Sequence, residues 1–295
     1  MAVPGTRDAG KQDRRNQARE RARTEREAER ARKRRNRILL QSGIGAAVVA
    51  IVIVIVLVVV GNGSSGAPTH VLGPKNMASN GVLLVGPEMQ AEPTPAAHAS
   101  GRAVTTDRAS HQNTINIVTF IDYQCPYCRQ FERTNNEQIQ TLVESGKATL
   151  EVHPISFLDS ASLGNRYSTR AANAAACVAN FDPERFFAVH SALFANQPEE
   201  RTQGRSDAEL ESTVDAAGAR SKRIRNCIAA ETFAPWVARV TDDLHIGSQT
   251  KVFQGIANTA AVFGGTPTVF VNGEQYEGPL TDPKAFARFI ETQTG

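Results

Sequence analysis

Between Ile38 and Val60 the chain reads ILLQSGIGAAVVAIVIVIVLVVV, 23 residues without a charge. As a helix rising 1.5 Å per residue this run is about 35 Å long, enough to cross a hydrocarbon core of about 30 Å with some tilt. A span at this place divides the polypeptide in two and decides the redox surroundings of every cysteine after it. A cleaved signal peptide is the alternative, since GNGSSGAP supplies small residues directly after Val60. The apolar core of such a peptide is only about 7 to 15 residues, so an uncleaved signal anchor at 38–60, embedded in membrane lipid, is the expectation.

Charge sets the orientation. From Arg7 to Arg37 there are 14 Lys and Arg against 6 Asp and Glu, a net +8, although the whole chain carries only +3. A basic flank is retained on the cytoplasmic side, so residues 1–37 form a cytoplasmic arm and everything after Val60 lies outside. RRNRIL, from Arg34, resembles a twin-arginine signal only faintly, and the same positive flank explains it. Without the arm the exported part is at −5, which gives no electrostatic footprint for nucleic acid. The arm alternates Glu and Arg and has no aromatic side chain for base stacking, so it reads as a solvated helix.

After the span the composition turns to Gly, Ser, Pro, Ala and Thr, and residues 61–110 read as an extracytoplasmic tether with one added strand at 81–86, GVLLVG. A compact domain is expected over 111–295. TINIVTFID (Thr114 to Asp122) is rich in β-branched residues and reads as a buried strand. RQFERTNNEQIQTLVESG follows as a helix stopped by Gly146, and KATLEVHPISF as a second strand. A helical block fills about 160–250, with a helix starting at Asp182-Pro183 and a capping box at Ser206 and Glu209. TPTVFVNGEQYEG reads as a hairpin turning at Asn272-Gly273, and Asp282-Pro283 opens a terminal helix.

The first strand runs straight into Cys125-Pro126-Tyr127-Cys128, which opens the first helix. A sulfur at a helix N-terminus faces unpaired N–H groups and the positive end of the dipole, so Cys125 is expected to have a lowered pKa and to be the nucleophile. Cys128, one turn in, would be buried and would resolve a mixed disulfide. Pro126 suits the first helical turn, where it has no N–H to lose. Asp122 is the nearest carboxylate in sequence, available either to take the Cys128 proton or to cap the strand-to-helix turn.

The other two cysteines, Cys177 and Cys227, lie within the helical block. Four cysteines can hold zinc, but only one pair here has Cys-X-X-Cys spacing, so no metal site is expected. A structural Cys177–Cys227 bridge is the reading, with a buried free pair as the alternative. No acidic loop has the spacing of a calcium site. The histidines form no constellation: His190 reads as a helix-face residue and His153 as a strand end before Pro154.

The order of elements, the CPYC and GGTPTVFVNG (Gly264 to Gly273) resemble the thioredoxin superfamily, and within it the DsbA-like thiol–disulfide oxidoreductases. FIDYQCPYCRQFE and SALFANQPEE are similar to the membrane-anchored members of that family from Gram-positive bacteria. The resemblance covers about 111–295. It implies an α/β thioredoxin fold with an inserted helical subdomain, here preceded by one transmembrane helix. It also implies a cis bond at Thr266-Pro267 facing the active cysteines, with Tyr127 in the motif tuning the redox balance. The family commonly keeps a buried acid six residues before the first active cysteine, where this chain has Thr119. The implied activity is disulfide formation in exported proteins bearing thiols, with no cofactor and a membrane reoxidant of the DsbB or vitamin K epoxide reductase-like type. The alternatives are a reductase or isomerase using the same site, or a non-catalytic binding module.

Overall fold

The computed structural model describes residues 73–108, 111–244, 253, 255–258 and 261–294. The basic arm, the expected anchor at 38–60 and the start of the tether lie outside the described residues. Among those described, no helix is long and apolar enough to cross a membrane.

The central strands are β3 (Ile115–Ile121) and β4 (Ala148–Pro154), parallel and joined by helix α1 (Pro126–Glu144). β3, INIVTFI, is largely apolar, as a strand covered on two faces is, whereas β4, ATLEVHP, also buries Thr149, Glu151 and His153. All of β4 and the last five residues of β3 are buried. α1 buries Cys128, Phe131, Asn135, Ile139 and Val143, the three- and four-residue spacing that gives a helix one inward face. Full burial of a side chain such as Phe131 contributes about 1.5–3 kcal/mol. Gly146, at φ +71°, ends the helix in the left-handed conformation that only glycine takes without strain.

On the other edge of β3 lies β5 (Thr268–Val271), antiparallel, with Phe120 opposite Thr268. It turns through Asn272 and Gly273, both at positive φ, into β6 (Glu274–Gln275). This register has a functional consequence: the strand leading into Cys125 and the strand leaving Pro267 meet at one end of the sheet. α7 (Pro283–Thr292) then covers α1, capped by Asp282, which accepts from the N–H groups of Lys284 and Ala285.

Between β4 and β5 comes the helical block. It holds α2 (Tyr167–Phe181), α3 (Phe186–Ala195), α4 (Asp207–Ala216), α5 (Lys222–Ala229) and α6 (Ala234–Asp242). α2 is buried from Tyr167 to Ala179, and its many alanines let the surrounding helices approach closely. α4 carries the Ser206–Glu209 capping box. Asp182, by contrast, makes no cap: a short 3₁₀ turn at Pro183–Arg185 intervenes, and α3 starts only at Phe186.

One boundary needs correction. Residues 73–108, read as tether with one added strand at 81–86, belong to the folded body, and the strand is present. β1 (Val82–Val85) pairs with β4 and with β2 (Gln90–Ala91), extending the sheet to six strands in the order β2-β1-β4-β3-β5-β6. Met77, Val82, Leu84, Met89 and Ala97 are core residues. Val82 and Leu84 lie in the expected strand, whereas Met77, Met89 and Ala97 are spaced singly and average composition hid them; Asn76 accepts from the Thr94 N–H and donates to the carbonyl of Ala179. Gly81 is required where it stands, since a Cβ there would lie 2.6 Å from the His153 ring.

The same segment is tied down by a buried carboxylate. Glu151 on β4 accepts from Ser79 and Thr106 at 2.6 Å each and from Arg108 at 2.5 Å. His153 lies 3.4 Å from it. Burial pushes the Glu151 carboxyl up, but His153, Arg108 and Ser79 together overcome this and hold it at about 2.

Candidate active site

Cys125 is the residue before the first turn of α1, with extended backbone (φ −72°, ψ 118°) and Pro126 first in the helix. Pro126 has no N–H, so the first free donors of the helix are those of Tyr127 and Cys128. The sulfur makes no cap hydrogen bond of ordinary geometry, yet those two N–H groups still favour its anion. The largest influence is a hydrogen bond from the Cys128 thiol. With help from the Thr266 side chain it outweighs burial and draws the Cys125 thiol down to about 6. When protonated, Cys125 donates at 3.2 Å to the main-chain oxygen of Thr266. The Thr266–Pro267 bond is cis.

Cys128 is fully buried, and burial pushes its thiol well up, as does its hydrogen bond to Cys125. Both cysteines are free thiols. The pair therefore combines an acidic sulfur at the N-terminal end of the helix, 3% exposed, with a neutral, fully buried sulfur one turn in. Such an asymmetric pair can attack a disulfide, or be attacked as one, and release the partner sulfur as a thiolate. Tyr127, between them, is 62% exposed and marks the open side.

Asp122 lies just below and is completely buried. Its carboxyl accepts three hydrogen bonds: from the Gln124 N–H at 2.8 Å, the Leu158 N–H at 2.8 Å and the Ser168 hydroxyl at 2.7 Å. It thus locks the strand-to-helix turn to the loop after β4 and to α2. Burial raises its pKa to about 7 in spite of those donors, and the Cys125 charge adds to the rise. Thr119, at the position where the family keeps an acid, is buried and has no titratable group to offer.

Cys177 and Cys227 are joined as a disulfide that links α2 to α5, in the helical block and not in the cysteine-pair site. Among the described residues, no cluster of three or more His, Cys, Asp and Glu side chains is poised for a metal ion.

Sequence reasoning missed one contributor and the setting of a second residue. Gln197, in the stretch after α3, donates from Nε2 to the carbonyl oxygen of Cys125 at 2.9 Å. Its only sequence signal was its place in SALFANQPEE. His190 lies on α3 as expected, on its buried face, 3.1 Å from the Tyr123 hydroxyl and 3.2 Å from the Glu132 carboxylate. The apolar run FFAVHSALF around it was the available sign. A cleft of about 650 Å³ opens beside the first turns of α1, lined by Tyr127, Arg129, Arg133 and Glu200 among others. A similar cavity of about 670 Å³ lies between α1 and α7; neither of the two is lined by a cysteine, but only the first reaches Pro126 and Tyr127 of the motif.

Comparison with known proteins agrees with this geometry. A family model described as thioredoxin (Thioredoxin_4) matches residues 110–292. The chain is 34% identical over 181 residues to the serine/threonine-protein kinase PknE of Mycobacterium tuberculosis, a stretch amounting to 60% of this chain but only 29% of the kinase. Among solved structures it is similar to the reduced disulfide bond oxidoreductase DsbG of Mycobacterium tuberculosis, at 30% identity and TM-score 0.51, covering 65% of this chain and 83% of that one. It is also similar to reduced DsbA of the same species, at 26% identity and TM-score 0.50, covering 73% of this chain and 93% of that one.

Proposed function

The chain belongs to the thioredoxin family, on the branch of DsbA-like thiol–disulfide oxidoreductases, and from that premise we propose that it forms disulfides in exported proteins from a membrane-anchored position outside the cytoplasm. The observation that carries the direction is the depressed pKa of Cys125, about 6, beside a Cys128 that stays protonated. A stable thiolate favours the reduced pair, and a pair whose reduced form is stabilised is an oxidant.

In the cycle, the thiolate of a substrate cysteine attacks the Cys125 sulfur of the Cys125–Cys128 disulfide. A mixed disulfide forms and Cys128 leaves, taking a proton. A second substrate thiolate then attacks the substrate sulfur of the mixed disulfide and expels Cys125 as its stabilised anion. The substrate loses two electrons, which come to rest on the two cysteines. Asp122, near neutrality in pKa and packed against the pair, receives the Cys128 proton whenever Cys128 must become nucleophilic. The Thr266 main chain offers an edge for an extended substrate, and Pro267 keeps a competing N–H away from the disulfide.

The uncharged run at 38–60 supports anchoring in lipid, and the +8 arm before it supports an extracytoplasmic domain. A membrane protein of the DsbB or vitamin K epoxide reductase-like type would then withdraw the electrons. The test is the reduction potential of the domain with Cys177 and Cys227 intact, alongside oxidation of a reduced model protein. A potential above about −180 mV with fast substrate oxidation is expected, whereas one near −270 mV would turn the reading to a reductase. Protease accessibility of the domain in intact cells tests its location.

A further inference from the structure

Among the described residues, Cys125 has two hydrogen-bond partners from distant parts of the chain. One is the Thr266 carbonyl at its sulfur, and the other is Gln197 at its own carbonyl. The first belongs to the wall already described. The second has no part in the chemistry above, yet it is buried to within 7% and sits directly on the active-site main chain. Its orientation is unambiguous: a carbonyl oxygen can only accept, so the amide nitrogen of Gln197 must face Cys125.

We infer that Gln197 is a positioning residue that fixes the peptide plane after Cys125, and so aims the Cys125 sulfur at the free N–H groups of α1. The inference rests on the thiol–disulfide exchange proposed above. The Cys125 oxygen already accepts the first helical bond, from the Arg129 N–H at 3.2 Å. That single bond leaves the peptide free to rock about its axis, because Pro126 contributes no N–H to the first turn. A second donor arriving from outside the helix removes that freedom. Since the sulfur is placed by the same backbone angles, holding the plane holds the sulfur near the Tyr127 and Cys128 donors.

The main chain that carries the donor is tied down, while the Gln197 Oε1 is buried without a hydrogen-bond partner among the described residues. The Gln197 N–H donates to the Phe194 carbonyl at 3.3 Å, and Asn196 beside it accepts from Arg205 at 2.5 Å. Two residues beyond Gln197, Glu199 reaches back to Arg129 on α1 at 3.4 Å. The segment after α3 is therefore a brace between the helical block and the mouth of the cysteine pair. The titratable groups coupled to Cys125 are Cys128 on α1 and Asp122 at the end of β3, and neither is altered by changing Gln197.

The decisive variant is Gln197→Met, which keeps length and bulk but has no donor, with Gln197→Glu as a second that substitutes an acceptor. Thiolate absorbance against pH gives the apparent pKa of Cys125, and equilibration with glutathione gives the exchange constant of the pair. We expect Gln197→Met to raise the pKa by roughly half a unit and weaken the oxidant about 2- to 3-fold at pH 7, with Gln197→Glu exceeding both. Melting temperatures of the oxidised and reduced forms separate this from a purely structural role. Folded variants whose pKa and exchange constant match the parent, with only a lowered melting temperature, would overturn the inference. A parent protein whose own Cys125 titrates like a free thiol would instead overturn the oxidase reading on which it rests.

Discussion

The thiol of Cys125 lies 3.2 Å from the main-chain oxygen of Thr266, although 141 residues separate the two in sequence. Parallel pairing of β3 with β4 and antiparallel pairing of β3 with β5 bring the two loops to the same end of the sheet. The reactive sulfur is thus a property of the assembled fold, and its behaviour can be tested group by group.

Cys125 should titrate near pH 6 in the reduced protein, read as thiolate absorbance or as the pH dependence of alkylation. Cys128→Ser keeps a donor beside the sulfur and isolates the signal. Because the folded pKa is below that of the unfolded thiol, it stabilises the reduced form at high pH, and this is lost as pH falls through 6. At pH 7 it amounts to about 1.4 kcal/mol over a thiol titrating at 9.0, and by pH 5 it has nearly vanished. A reduced-form stability flat between pH 5 and 7 would contradict this.

Asp122→Asn should slow the resolution of a Cys125–glutathione mixed disulfide by roughly 100-fold and remove the inflection near pH 7 that the carboxylate imposes. Stopped-flow measurements across pH 5 to 9 show both effects. The substitution also leaves one amide group facing a donor, either the Leu158 N–H or the Gln124 N–H, at a cost of about 1–3 kcal/mol. An intact inflection in a folded variant would assign Asp122 to turn geometry alone.

Glu151→Gln should loosen the segment 73–108 from the sheet, because Arg108 would lose its buried counter-charge. Limited proteolysis should then cut before β3, and thermal stability should fall by about 3 kcal/mol. In the unaltered protein the carboxylate has a folded pKa of about 2 against 4.5 for the free group, so its contribution is complete above pH 4.5 and disappears as pH falls through 2. Acid unfolding followed by circular dichroism will show whether the variant has lost that dependence.

Replacing both Cys177 and Cys227 by Ala opens a loop with a sequence separation of 50. The chain-entropy model puts the loss at roughly 4 kcal/mol. The exchange constant of Cys125 and Cys128 should stay within about twofold of the parent, since the bridge joins α2 to α5 away from the pair. A folded double variant that no longer oxidises substrate would make the bridge an electron relay.

The cysteine pair, the strand before it and the helix after it were legible because each has a local cause: β-branched apolar residues, a proline in the first turn, a glycine stop. Thr266-Pro267 was legible through the resemblance of GGTPTVFVNG to the thioredoxin superfamily. Asp122 was visible as a nearby acid, but its three donors come from Gln124, Leu158 and Ser168, and the last two are placed only by tertiary packing. The same holds for Gln197 and for the buried His190, whose partners lie on other elements. The strand at 81–86 was legible as an apolar run, but the rest of 73–108 was not, because composition averages over a window whereas burial is decided residue by residue, by Met77, Met89 and Ala97.

The brace from Gln197 and the oxygen of Thr266 reach Cys125 from positions later in the chain, as does Ser168 on Asp122. The first helical turn supplies Cys128 and two free N–H groups to the Cys125 sulfur, and the contacts from Thr266 and Gln197 are added only when the helical block and the last strands have closed around that helix. Potency arrives with completion. A thiol–disulfide oxidoreductase thus completes the activation of its reactive sulfur only when its own folding is done.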